Sequence, residues 1–141
     1  MKKRILLAAL AVICIVIAIV LIDPGTTKPW TWANRLSVED VDEIVLWGNI
    51  DTPDHVLSEK EIQELVKQIN RTNRLQFQKN KALAGPTPTC GFHISVDGEE
   101  YNLNYYGIFE LRYGENQWWI RSERFSEYMD SLLEQYNITI S

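Results

Sequence analysis

Trp118 and Trp119 stand side by side in GENQWWIRSERF, residues 114–125, and little else in the chain has the residue types of a reactive site. His55 and His93 are the only histidines, and Cys14 and Cys90 the only cysteines. Cys90 and His93 have the spacing of half a metal site, but the other half is missing. No Gly-rich phosphate loop and no G-x-S-x-G nucleophile turn occurs. Glu99-Glu100 follows a turn signal and reads as its hydrated flank. A hydrolytic carboxylate pair cannot be named among 19 acidic residues without geometry. The expectation is therefore no catalytic residue, no metal ligand and no cofactor. What remains is recognition chemistry: a large aromatic among planar hydrogen-bonding side chains.

Strand alternation separates the two tryptophans. Phe109, Leu111 and Tyr113 alternate with Glu110 and Arg112, and Gly114 then opens a turn. A two-residue loop, Gly114-Glu115, sets Leu111 opposite Trp118 and Glu110 opposite Trp119. A four-residue loop ending at Gln117 sets Tyr113 opposite Trp118 and Arg112 opposite Trp119. Both keep the same facing, because side chains alternate with period two. Trp118 is expected in the core with Leu111 and Ile120. Trp119 is expected on the polar face, where the candidate binding residues are Trp119, Arg112, Arg121, Glu110, Asn102 and His93, with Ser95 and Asn104 beside them. Three readings of Trp119 stay open. It pairs across the strands with Arg or Glu, it is covered by Trp30 or Trp32, or it belongs to a ligand- or protein-binding face.

The elements that must position these residues can be read from periodicity. Val41–Trp47 is rich in β-formers and closes at Gly48-Asn49. Asn49 to Val56, with Pro53, reads as a loop or a poorly formed strand. Ser58-Glu-Lys-Glu61 is a capping box opening a helix that buries Ile62, Leu65, Val66 and Ile69, with fraying expected over Asn70–Asn73. Residues 74–80 alternate as a strand with Leu75 and Phe77 inward, and 84–91 form a loop. Phe92, Ile94 and Val96 alternate up to Asp97-Gly98, a hairpin signal, and Tyr101, Leu103 and Tyr105 answer it. Ser122 to Tyr136 carries Phe125, Met129, Leu132 and Leu133 at helical spacing. The fold class is α+β: one antiparallel sheet of about five strands, order β-α-β-β-β-β-α, with two helices on one face. Cys90 reads as a small core residue.

An appendage precedes this domain. Ile5 to Ile22 is an uncharged apolar run behind Met1-Lys-Lys-Arg4, and Asp23-Pro-Gly25 ends it. At ~1.5 Å per residue the run is ~27 Å long, enough for most of a ~30 Å bilayer core. It exceeds the ~7–15 apolar residues of a cleaved signal peptide and lacks a small-x-small site at its end. Cys14 sits in mid-run, away from a lipoprotein cleavage context. The expectation is a retained single-pass anchor, with cleavage or lipidation as alternatives. The basic tip should stay in the cytoplasm and the rest face outward. The domains are thus 1–22 (tip and transmembrane helix), 23–35 (linker) and 36–141 (extracytoplasmic domain). Three of the 14 Lys+Arg lie in the tip, leaving 11 against 19 Asp+Glu, a net of −8. That balance argues against nucleic acid.

The pattern resembles a family of small, uncharacterised, membrane-anchored extracytoplasmic domains of Gram-positive bacteria. The residues carrying the resemblance are Pro29-Trp30, Val41-Asp-Glu-Ile44, Leu57-Ser-Glu-Lys-Glu-Ile-Gln-Glu-Leu-Val66, Phe92-His-Ile-Ser-Val-Asp-Gly98 and Tyr101-Asn-Leu103. A final aromatic strand before a Leu-rich helix completes it, over most of residues 29–136. The resemblance implies the fold and the setting and supplies no catalytic residues. The leading expectation is a non-enzymatic module that binds a protein or an envelope ligand outside the membrane. An enzyme acting on an envelope substrate and a structural subunit of a membrane complex are the alternatives.

Overall fold

The computed structural model describes residues 2–21, 35–48, 53–72, 76–79 and 87–139. The chain divides into two compact units, Met1–Arg35 and Leu36–Ser141. In the first, α1 runs from Lys2 to Leu21 as a 20-residue helix. Its side chains are described from Ile5 to Ala18, and all of them are exposed. Among the described residues no helix is long and apolar enough to cross a membrane. The structure thus supplies a helix, and the spanning role of Ile5–Ile22 rests on the sequence. Trp30 and Trp32 lie outside the described residues.

Among the described residues the second unit holds one sheet and two α-helices. Its strands are β1 (Val41–Trp47), β2 (His55–Val56), β3 (Phe77–Lys79), β4 (Cys90–Val96), β5 (Glu99–Tyr105), β6 (Phe109–Tyr113) and β7 (Asn116–Ile120), and its helices are α2 (Glu59–Arg71) and α3 (Glu123–Gln135). All pairings are antiparallel, in the spatial order β2-β1-β4-β5-β6-β7-β3. The α+β class is as expected. The count is corrected from about five strands to seven, and the chain order of the domain to β-β-α-β-β-β-β-β-α. A strand of two or three residues shows no alternation, so the sequence left residues 49–56 between a loop and a poorly formed strand, and β2 is the strand at their end. It exists because β1 offers it a partner: Val56 pairs with Val45, and the Leu57 amide donates to the Ile44 carbonyl at 2.9 Å. β3 precedes β4 in the chain yet closes the far edge, on β7.

The hairpins follow their turn chemistry. Asp97 and Gly98 have φ of 50° and 75°, the doubly positive pair of a type I′ turn. Gly114 has φ 56°, and Tyr113 pairs with Asn116, so the two-residue loop is the one formed. Ile44, Ile94 and Tyr101 line up across β1, β4 and β5, as do Leu46, Phe92, Leu103, Leu111 and Trp118 across β1, β4, β5, β6 and β7. All these side chains are buried. The helices cover this face. Phe125 of α3 stacks on Phe109 with ring centroids 4.1 Å apart, and Tyr105 Oη donates to Asp130 Oδ1 at 2.9 Å. Beside it, α2 buries Leu65, Val66 and Ile69, and Tyr128 Oη of α3 donates to the Glu61 carbonyl at 3.3 Å.

The end of α2 is pinned, contrary to the expected fraying. Asn70 Oδ1 accepts the Leu36 amide at 3.0 Å, and Asn70 Nδ2 donates to the Leu36 carbonyl at 2.8 Å. This amide pair ties the helix end to the chain entering β1. Cys90 is fully buried, and burial pushes its thiol up to about 11, so it is an inert core residue.

Candidate functional site

Opposite the helices, the second sheet face carries two cross-strand rows. One runs Val45–His93–Asn102–Arg112–Gln117 and the next Trp47–Gly91–Asn104–Glu110–Trp119–Gln78. The strand period alone puts these residues on one surface. The tryptophan facing holds: Trp118 is 4% exposed and lies in the core, while Trp119 is half-buried on the other side.

The middle of that polar face is buried. Glu110 is 1% and Asn104 5% exposed. Glu110 Oε2 accepts from Asn104 Nδ2 at 3.1 Å, Tyr106 Oη at 3.3 Å and Arg112 Nε at 2.8 Å. A carboxylate withdrawn from water needs such donors, and Arg112 adds the opposite charge. Arg112 keeps 36% of its side chain exposed, so the pair joins a buried acid to a surface base. The same Glu110 carboxylate pushes the Tyr106 hydroxyl's pKa up, after burial, which is the larger cause.

Aromatic rings flank this centre. Tyr106 meets Trp119 edge-to-face with centroids 5.6 Å apart. Trp47 stacks on His93 at 5.8 Å. Gly91 makes room for that indole: a Cβ there would stand 2.5 Å from the Leu103 carbonyl oxygen and 3.1 Å from Trp47 Cζ2. The indole nitrogen of Trp47 is buried without a hydrogen-bond partner, so Trp47 contributes its ring to the face. His93 Nδ1 lies 2.5 Å from Asn102 Oδ1, which orients both side chains.

Of the expected residues, His93, Asn102, Arg112, Glu110 and Trp119 share the two rows. Arg121 does not join them: it lies one residue past β7, exposed, with its amide donating to the Gln76 carbonyl at 2.8 Å. Trp47 and Tyr106 were missed. Alternation from Ile44 and Leu46 places Trp47 on this face, and alternation from Asn102 and Asn104 places Tyr106 there; both signals were present in the sequence.

A second polar cluster sits where β2 meets the helices. Glu61 Oε2 accepts the Ser58 amide at 2.8 Å and the Ser58 hydroxyl at 2.7 Å, and Glu61 Oε1 accepts Gln135 Nε2 at 3.1 Å and the Tyr136 hydroxyl. His55 meets Tyr136 in a tilted ring contact with centroids 3.9 Å apart and places Nε2 3.8 Å from Glu61 Oε2. Burial raises the Glu61 carboxyl, but the bonds from Tyr136 and Ser58 and the charge of His55 together outweigh it and hold it at about 2. Such a group stays ionised and serves as an acceptor, not as a proton carrier near neutral pH. Among the described residues no group of three His, Cys, Asp or Glu could hold a metal ion.

No protein-family model matches the chain, and neither does any curated protein. A similar solved structure is the crystal structure of a "Putative Lipoprotein from Clostridium perfringens", with a TM-score of 0.54 and 12% identity over 71% of this chain and 86% of that one. At that identity the likeness shows the α+β fold.

Proposed function

We propose that the chain is a membrane-anchored extracytoplasmic binding module, with the Trp119 face as its contact surface. One observation carries the reading: rings at both ends of a sheet face that both described domain helices leave uncovered, with the Glu110–Arg112 pair between them. A sheet face with no task is ordinarily small and charged, and half-buried tryptophans there point to contact with something else. The apolar run Ile5–Ile22 serves as the anchor, with the basic tip inside and residues 36–141 outside, at the cell membrane. The clostridial protein that shares the fold carries the name lipoprotein, which supports a membrane-attached, extracytoplasmic setting. The partner is an envelope component or a membrane protein, and the role is binding without catalysis.

Crosslinking in native membranes tests this. The full chain should capture a partner, and Trp119→Ala or Arg112→Ala should lose it while the domain keeps its far-UV spectrum. Capture that survives both substitutions would place the contact elsewhere.

A further inference from the structure

We infer that the cavity between the end of α2 and the start of α3 holds a phosphodiester monoanion, at a site separate from the Trp119 face. The cavity has a volume of about 390 Å³ and is lined by Gln68, Arg71, Gln76, Ser122, Glu123 and Arg124. Three elements bring these residues together. Gln68 and Arg71 come from α2, Gln76 directly precedes β3, and Ser122, Glu123 and Arg124 form the cap and first turn of α3. The Arg121 amide, donating to the Gln76 carbonyl at 2.8 Å, ties the last two together. Gln68 is 7% exposed and forms the inner wall, while Arg71, Glu123 and Arg124 are exposed at the mouth.

Charge is the second observation. Among the described residues neither Arg71 nor Arg124 forms an ion pair. Glu64, two turns before Arg71 on α2, is already bridged by Lys67 at 2.8 Å and bonded by Gln68 Nε2 at 2.6 Å. Glu123 shares the cavity without pairing with either arginine. Two guanidiniums on one cavity repel each other, and an anion between them removes that cost. Two arginines against Glu123 leave one net positive charge, to which the positive end of α3 adds about half a charge. A phosphodiester carries one negative charge and balances this. Residues 5–141 carry −8, a field that repels a polyanion far more than a single charge.

The donors suit the same group. A guanidinium fork matches two phosphate oxygens. In the first turn of α3, Ser122 Oγ accepts the Phe125 amide at 3.4 Å and the Ser122 carbonyl accepts the Ser126 amide at 3.0 Å. The amides of Glu123 and Arg124 are left as open donors among the described residues. Such an ester is either a small soluble molecule or a phospholipid headgroup. On the anchored reading above the bilayer is at hand, because the chain enters the domain at Leu36, which Asn70 holds beside Arg71. The bilayer as source rests on that reading, and the site does not.

Amide hydrogen exchange of the full chain at Glu123 and Arg124 tests the site and separates the sources. In maltoside micelles, which hold no phosphate, glycerophosphoglycerol should slow both amides saturably, with a Kd of about 10 mM or tighter. Arg71→Gln and, independently, Arg124→Gln should each weaken this about fivefold or more with the far-UV spectrum intact. Lys60→Gln removes the same charge elsewhere on α2 and should leave it unchanged. In phosphatidylglycerol nanodiscs, slowing without added ester assigns the lipid headgroup, and slowing only with added ester assigns a soluble one. The inference is overturned if neither the ester at about 50 mM nor the nanodisc slows these amides. It is equally overturned if the arginine variants bind as the parent does, or if Lys60→Gln weakens binding as much as they do.

Discussion

Adjacent tryptophans with opposite surroundings make a sensitive residue-scale test. Trp118→Ala empties a core position and should cost about 3–5 kcal/mol, a large share of a typical 5–15 kcal/mol. Trp119→Ala forfeits the Tyr106 contact and part of one ring's burial and should cost about 1–2 kcal/mol. Urea melts of residues 36–141 separate the two, and equal losses would contradict the facing. Glu110→Gln should cost about 1–3 kcal/mol, because Arg112 loses its counter-charge and the buried donors around it lose their best acceptor. The facing of the tryptophan pair was legible because it depends only on parity. The burial of Glu110 was not, since it needs Trp119 beside it in β7, Asn104 beside it in β5 and Tyr106 folded back over it. Glu61 adds a pH signature. Its carboxyl falls from an ordinary 4.5 to about 2 in the folded domain. A depressed pKa stabilises above the unfolded value and is lost as pH falls through the folded one. The wild-type advantage over Glu61→Gln should therefore be full above 4.5 and shrink as pH falls toward about 2. A gap that stays constant over that window would show that Glu61 does not carry it.

Among elements, α2 was the most legible, and its cap and stripe are the reason. Ser58→Ala should cost about 0.5–2 kcal/mol at the N-cap. Leu65→Ala, at a fully buried position, should cost about 2–5 kcal/mol, and Ile62→Ala less, because Ile62 is only half-buried. A melt showing Ile62 costlier than Leu65 would mean that the helix is rotated about its axis. The β4–β5 and β6–β7 hairpins were legible for a local reason: Asp97-Gly98 and Gly114 accept the positive φ their turns demand. The strands β2 and β3 were illegible in extent, because pairing with β1 and β7 makes them strands and their own two or three residues do not. The pinned end of α2 was hidden for the same reason, since its partner Leu36 is 34 residues away.

At the scale of the whole molecule, the orientation argued from the basic tip is open to a direct measurement. A chain lacking Cys14 and Cys90 and carrying Thr139→Cys, at an exposed position, should react with an impermeant thiol reagent on intact cells. Reaction only after lysis would reverse the orientation. On the anchored reading proposed above, copies share a plane, where collisions are frequent and axes are aligned, conditions under which free sheet edges zip together into aggregates. Among the described residues both edge strands of this sheet are short, β2 at two residues and β3 at three. So few outward N–H and C=O groups make a poor template for a neighbour's strand, and the domain can be crowded at a surface without polymerising.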